Sequence, residues 1–174
     1  MLNLLRDRRL SIVWTLLRIW LGWQWLEAGL HKLSDPKWTQ TGEALKGFWA
    51  KAVGALPGSA PAIKYGWYEA FIRSLYDGGH YTWFAKLVVA GEVLTGIALI
   101  LGAATVFALS VGAFMNLNFM LAGTASTNPV LYTAAIILLL AGSSAYYYGV
   151  DRLVLIYLQR KKERETSESL AVSK

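Results

Sequence analysis

Four polar residues interrupt an apolar stretch near the start of the chain. The segment SIVWTLLRIWLGWQWLEAGLHKL, residues 11–33, carries Arg18, Gln24, Glu27 and His31, with Lys32 next in line. At 100° per residue, Gln24, Glu27 and His31 share one stripe of a helix. The four-residue spacing sets Glu27 beside His31. A carboxylate next to an imidazole can take and deliver protons, and histidine is the side chain that titrates closest to neutral pH. The competing reading of His31 is an interfacial histidine reaching for water. Arg18, nine residues before Glu27, falls on the opposite face. Gly22 and Gly29 lie near that face, where small residues let another helix approach closely. The first helix is therefore expected to have two protein-facing sides.

Other polar groups lie in later apolar segments. Glu92 sits inside VVAGEVLTGIALILG, and Asn116 and Asn118 sit inside NLNFMLAGTASTNPVL, which continues through Thr124, Ser126 and Asn128. At about 1.5 Å per residue, Arg18 is placed roughly 10 Å, Glu92 roughly 15 Å, Glu27 roughly 24 Å and the two asparagines roughly 20 Å from one membrane edge. This arithmetic pairs Arg18 with Glu92. That pair reads either as an interhelical ion pair, offsetting a cost of about 2.5–3.5 kcal/mol per buried charge, or as the holder of a proton-moving Glu92. Glu27, His31, one asparagine and the hydroxyl- and amide-rich GTASTN form a second, outer tier, with positive charge from Lys32 and Lys37. Such a convergence suits a small-molecule pocket. A metal or haem is disfavoured, because His31 and His80 are the only histidines and Glu27 with His31 supplies two ligands. With no cysteine, thiolate chemistry is excluded. No phosphate-cradling loop, nucleophile elbow or nicotinamide fingerprint is present.

The elements that must carry these residues are long and apolar. The chain is 55% hydrophobic and 16% charged, with mean hydropathy +0.39, whereas soluble domains carry about 25% charge. Four segments approach the roughly 20 residues that span a bilayer: 11–31, 83–102, 104–123 and 130–149. A signal peptide is the competing reading of the first, but its apolar run is too long and lacks a small-residue cleavage site. Arg6, Arg8 and Arg9 precede the first span, and Arg152, Arg160, Lys161, Lys162 and Arg164 follow the fourth, which puts both termini in the cytoplasm. The net charge of +6 is concentrated at the chain ends, so nucleic acid is not the expected partner.

Between the first two spans, residues 32–82 are predicted to form two amphipathic helices. One presents Trp38, Leu45, Phe48, Trp49 and Val53, the other Ile63, Trp67, Phe71 and Leu75, with LPGSAP breaking the chain between them. Eleven of the 23 aromatics fall between Trp38 and Phe84, which suits a membrane interface. A cap on the outer face is favoured over a free-standing domain, because about 45 residues bury too little core. YYYGVDRL, residues 146–153, should clamp the end of the last span, and residues 153–174 should form an exposed cytoplasmic tail that frays. The fold class expected is thus an all-α integral membrane protein, a four-transmembrane-helix bundle with two short capping helices, in the plasma membrane.

The pieces LRIWLGWQWLEAGLHKL, VVAGEVLTGIALILG, NLNFMLAGTASTNPVL and YYYGVDRL, in this order across nearly the whole chain, resemble the DoxX family of small four-helix membrane proteins, and specifically its DoxD-like branch. That branch is similar to the membrane subunit of thiosulfate:quinone oxidoreductase, which joins two thiosulfates into tetrathionate and passes two electrons to quinone. The resemblance implies Arg18, Glu27, Lys32, Glu92 and the Asn116/Asn118 region as signature positions. The leading expectation is a quinone-linked oxidoreductase acting on a small reduced sulfur anion at the outer face. Quinone would be the acceptor, and a second subunit or homodimer the possible partner. Glu27, His31, Glu92 and Arg18 would be catalytic, and Lys32, Gln24, Asn116, Asn118, Thr124, Ser126 and Asn128 would bind substrate. The alternatives are a non-catalytic membrane module that recruits or stabilises redox enzymes, and a small-solute permease.

Overall fold

The computed structural model describes the backbone of residues 5–172 and side-chain environments through residue 165. Every regular element among the described residues is helical. Four helices form the body: α1 (Ser11–Leu33), α5 (Tyr81–Leu101), α6 (Thr105–Leu121) and α7 (Asn128–Ala141). Between α1 and α5 lie α2 (Pro36–Thr39), α3 (Glu43–Ala52) and α4 (Gly66–Asp77), and α8 (Val150–Val172) closes the described chain. One helix among the described residues, Tyr81–Leu101, is long and apolar enough to cross a membrane. Thr105–Leu121 and Asn128–Ser144 are apolar but shorter.

The body is a ring in which α1 packs on α5 and α7, and α6 joins α5 to α7. Its core places Leu21, Trp25, Leu99, Leu109 and Leu138 among small residues such as Ala108, Ala134 and Ala135. The tightest seam is between α1 and α5, where small residues face each other. A Cβ on Gly96 would lie 2.6 Å from the Leu26 nitrogen, and one on Gly22 would lie 2.9 Å from the Gly96 carbonyl oxygen. This close approach is the role expected of Gly22, and Gly29 shares it by packing on Val93.

The α5–α6 turn is built from Gly102, which ends α5 at φ +66, and from Ala104, left-handed at φ 48. Asp151 holds this turn from another element. Its carboxylate accepts from the Ala104 N–H at 2.6 Å and the Thr105 N–H at 2.8 Å, and its own N–H donates to Gly102 at 2.9 Å. The clamp expected on the end of the last span is corrected: Asp151 of YYYGVDRL caps the start of α6 instead. Arg152 stacks on the Tyr147 ring at 3.5 Å, and Arg8 lies 5.7 Å from the same ring. Ser144 donates to the Arg6 carbonyl at 2.9 Å. The N-terminal segment and the α7–α8 junction thus meet at the same end of the bundle as the α5–α6 turn.

The opposite end is capped, and the cap shares a core with the body. Leu45, Trp49, Val53, Ile63, Tyr68 and Ile72 pack with Ala85 of α5 and Ala122 at the end of α6.

Several predicted boundaries are corrected. The helix expected across 36–53 breaks at Gly42, whose φ of +74 no helix interior accepts. On α4, the buried face is Tyr68 and Ile72, whereas Trp67 and Phe71 are 67% and 47% exposed. Both faces of that helix are apolar, so periodicity alone could not rank them. The segment expected at 130–149 stops being α-helical at Ala141. Gly142, at φ 57 and ψ −128, turns the chain into a 3-10 segment, Gly142–Ser144. The expected tail from 153 is helical through Val172, and its last two residues lie outside the described residues.

Candidate functional site

A chamber of about 570 Å³ opens at the capped end between α1 and α7, beneath α2 and α3. From α1 it receives Gln24, Trp25, Glu27, Ala28, His31 and Lys32, and from α5 it receives Glu92. Thr124, Ser126, Thr127, Asn128 and Leu131 line it from the α6–α7 loop and α7, and Trp38, Phe48 and Phe119 complete the wall. The α1 stripe read from the sequence is therefore real, and the GTASTN segment faces it. Glu27 and His31 are exposed at the rim, side by side on the helix. No hydrogen bond or ion pair joins them to each other or to another described residue.

The floor of the chamber holds an ion pair. The Lys32 ammonium donates to both carboxylate oxygens of Glu92 at 2.8 Å. Glu92 is 1% exposed, and the side chain of Lys32 is 21% exposed. Lys32 also lies 5.3 Å from the Trp38 ring. The expected pairing of Glu92 with Arg18 is therefore corrected. Helix side chains lean toward their own N-terminus. On antiparallel helices, Glu92 leans toward the capped end and Lys32 leans away from it, so the two converge. Arg18 leans away from Glu92. The expected depth also assumed that α1 begins level with the α5–α6 turn. Because Gly22 packs on Gly96 and Ile100, α1 projects beyond that turn and Arg18 arrives beside it.

Arg18 belongs to a separate knot at the far end. It is 1% exposed, and its Nη2 donates to the Tyr148 carbonyl at 2.7 Å. Its guanidinium leaves no room for a Cβ on Gly102 or Gly149, and Asp151 is the acid that faces it. Arg18 does not line the chamber, so it acts in holding the bundle end and is not one of the chamber's chemical groups.

The two asparagines also part from the chamber. Asn118 donates through Nδ2 to the Phe114 carbonyl at 2.8 Å, and it receives the Tyr68 hydroxyl on Oδ1 at 3.0 Å. It thereby ties the cap to α6. Burial pushes the Tyr68 phenol up to about 12. Asn116 is fully buried, one turn beyond Gly112, against which the Trp25 indole nitrogen rests. Neither the Asn116 amide nor the Trp25 N–H has a hydrogen-bond partner in the described protein. Unsatisfied buried polar groups of this kind cost about 1–3 kcal/mol each.

Sequence reasoning found Gln24, Glu27, His31, Lys32, Glu92, Thr124, Ser126 and Asn128, all of which line the chamber. It missed Trp25 and Phe119 as walls, because an apolar side chain carries no chemical signature. Trp25 did carry a positional one, seven residues before Lys32 on the same face. No family model matches the chain, and neither a curated protein nor a solved structure matches it.

Proposed function

We propose that this protein is a four-span plasma-membrane protein whose chamber receives a quinone head group, and that it acts as a quinone-linked oxidoreductase subunit. The observation that carries the reading is the chamber itself. Proton-active Glu27 and His31 stand at its rim, a neutralised ion pair forms its floor, and aromatic rings form its walls.

The membrane reading is supported by the bundle's surface. Leu16, Trp23, Leu94, Ile97, Phe107, Phe114 and Val130 are each 42–72% exposed, large apolar side chains on four helices that a bilayer would cover. At about 1.5 Å per residue, α1 and α5 match a hydrocarbon core of about 30 Å. The shorter α6 and α7 are accommodated by local thinning of the bilayer. Arg6, Arg8 and Arg9 lie at the uncapped end and the basic run from Arg160 to Arg164 follows it along α8, a charge pattern that supports a cytoplasmic side for that end.

The charge of the chamber favours a neutral occupant. Lys32 and Glu92 pair with each other, so Lys32 is not a free attractor for an anion. A quinone is neutral, lipid-soluble and bounded by two hydrogen-bond acceptors. Reducing it requires two electrons and two protons. His31 and Glu27 are placed to hand on the protons. The likeness to the DoxX family adds the donor, a small reduced sulfur anion such as thiosulfate. Joining two thiosulfates through a new S–S bond releases the two electrons that the quinone accepts.

The test is turnover. Purified protein with thiosulfate and a soluble quinone should bleach the quinone absorbance. Glu27→Gln with His31→Asn should slow it by about 100-fold. Absence of bleaching by folded protein overturns the reading. One observation favours a second reading, a non-catalytic module that recruits a redox partner. Leu153, Val154, Leu155, Tyr157 and Leu158 at the start of α8 are each at least 47% exposed. That reading predicts that the Glu27 and His31 variants behave as wild type and that a partner co-purifies.

A further inference from the structure

A second cavity lies on the other side of the bundle, and it differs from the chamber in kind. It is a groove of about 320 Å³ between α5 and α6, roofed by α3 and α4. Its walls are apolar side chains, including Leu87 and Val88 of α5 and Val111 and Phe114 of α6. The polar exception is the Tyr68 hydroxyl against Asn118, already bonded at 3.0 Å. Leu87 and Phe114 at its edge are 56% and 66% exposed, on the face that meets the hydrocarbon in the membrane reading.

The groove and the chamber share a wall. Phe48 of α3 and Phe119 of α6 line both. Their rings meet edge to face, with centroids 6.4 Å apart and planes at 85°. One aromatic pair therefore separates a polar, titratable space from an apolar one that opens sideways. A ligand with a polar ring and a hydrocarbon chain fits this pairing. The ring would lie among Glu27, His31 and the aromatic walls, and the chain beyond the Phe48–Phe119 partition.

We propose that the groove between α5 and α6 binds the hydrocarbon tail of the lipid-soluble quinone whose head occupies the chamber, and that Phe48 and Phe119 grip the junction of head and tail. This rests on the quinone reading above. The chain lies along the hydrocarbon side past Leu87 and Phe114, and Phe48 and Phe119 must part to pass the head. The groove contributes affinity through apolar burial, and the chamber contributes the proton chemistry. Tail length then sets affinity while the head sets reactivity.

The test uses full-length protein in lipid nanodiscs and two probes: decylubiquinone, and the same dimethoxy-methyl-benzoquinone ring without a tail. Binding is read by quenching of tryptophan fluorescence, and reduction by thiosulfate is read separately. Val111→Phe fills the groove from α6, and Val88→Phe fills it from α5. Excluding two or so methylenes should weaken the decyl quinone about tenfold, and the tail-less ring should change by less than about twofold. A decyl quinone bearing a diazirine at the tail end should label unmodified protein within residues 87–91 and 111–118, a result that needs no variant to fold. The assignment is overturned if neither plug changes decylubiquinone binding, if both probes weaken equally, or if the tail label lands elsewhere. Tail-dependent binding without reduction would uphold the groove and remove the redox reading. Reduction of both quinones, insensitive to both plugs, would do the reverse.

Discussion

Lys32 and Glu92 should respond unequally to removal of the partner, and the inequality follows from their exposure. The side chain of Glu92 is 2% exposed and that of Lys32 is 21% exposed. Lys32→Met leaves the Glu92 carboxyl, 2% exposed, without its partner. Breaking a buried pair in this way costs about 3–5 kcal/mol. Glu92→Gln leaves an ammonium on a flexible stem at the chamber floor, which can turn toward the open mouth. Its loss should be smaller, about 1–2 kcal/mol, close to that of one charge-assisted hydrogen bond. The double variant Lys32→Met/Glu92→Gln removes both charges and should recover much of the loss, giving a coupling of at least about 2 kcal/mol. The assay is equilibrium unfolding of the purified protein in mixed micelles, followed by tryptophan fluorescence, with the cycle closed by all four proteins. Additive losses, or a Glu92→Gln variant less stable than Lys32→Met, would refute the bidentate pair as the organiser of the chamber floor.

Other parts of the structure make equally definite demands. The Tyr68 phenol is held at about 12, above its ordinary 10. The folded protein therefore keeps that proton more tightly than the unfolded chain. The associated stability is full below pH 10 and disappears as pH rises toward 12, and Tyr68→Phe should abolish this phase of the alkaline unfolding curve. Asp151→Ala removes two charge-assisted bonds to the start of α6 and leaves Ala104 left-handed without support. It should lower stability by about 2–4 kcal/mol in the same unfolding assay, and the chamber's ligand affinity should be little changed. Gly96→Ala drives a methyl to 2.6 Å from the Leu26 nitrogen and should destabilise by at least about 2 kcal/mol. Gly47→Ala, in α3, meets nothing within 4 Å and should stabilise by about 0.5–1 kcal/mol.

What the sequence made legible was whatever depends on local period and residue size. The helical stripe of Gln24, Glu27 and His31 follows from angle alone, and the close seam at Gly22 follows from the absence of a side chain. The cap was legible because Leu45, Trp49 and Val53 recur at helical spacing and so short an insert needed a surface to pack on. What depends on the offset between helices was not legible. Arg18 and Glu92 looked level only because two helix ends were taken as flush, and the glycine seam sets them about three turns apart. The choice between two apolar faces of α4 was hidden for a similar reason. Tyr68 and Ile72 are buried because they pack with Leu45, Trp49 and Val53 of the α3 side and Tyr68 reaches Asn118 of α6, partners absent from their own segment. The early end of α7 was masked because Gly142, Ser143 and Ser144 are small residues in an apolar run, and only the Ser144 bond to the Arg6 carbonyl shows why the chain turns there.

The central claim is that a quinone head occupies the chamber between α1 and α7. The most direct measurement is photolabelling of the membrane-reconstituted protein with an azido-substituted benzoquinone, followed by peptide mapping. The account predicts adducts on the α1 segment from Gln24 to Lys32 and on the segment from Phe119 to Leu131, suppressed by excess unlabelled quinone. Adducts confined to other helices, or labelling that unlabelled quinone does not suppress, would contradict it.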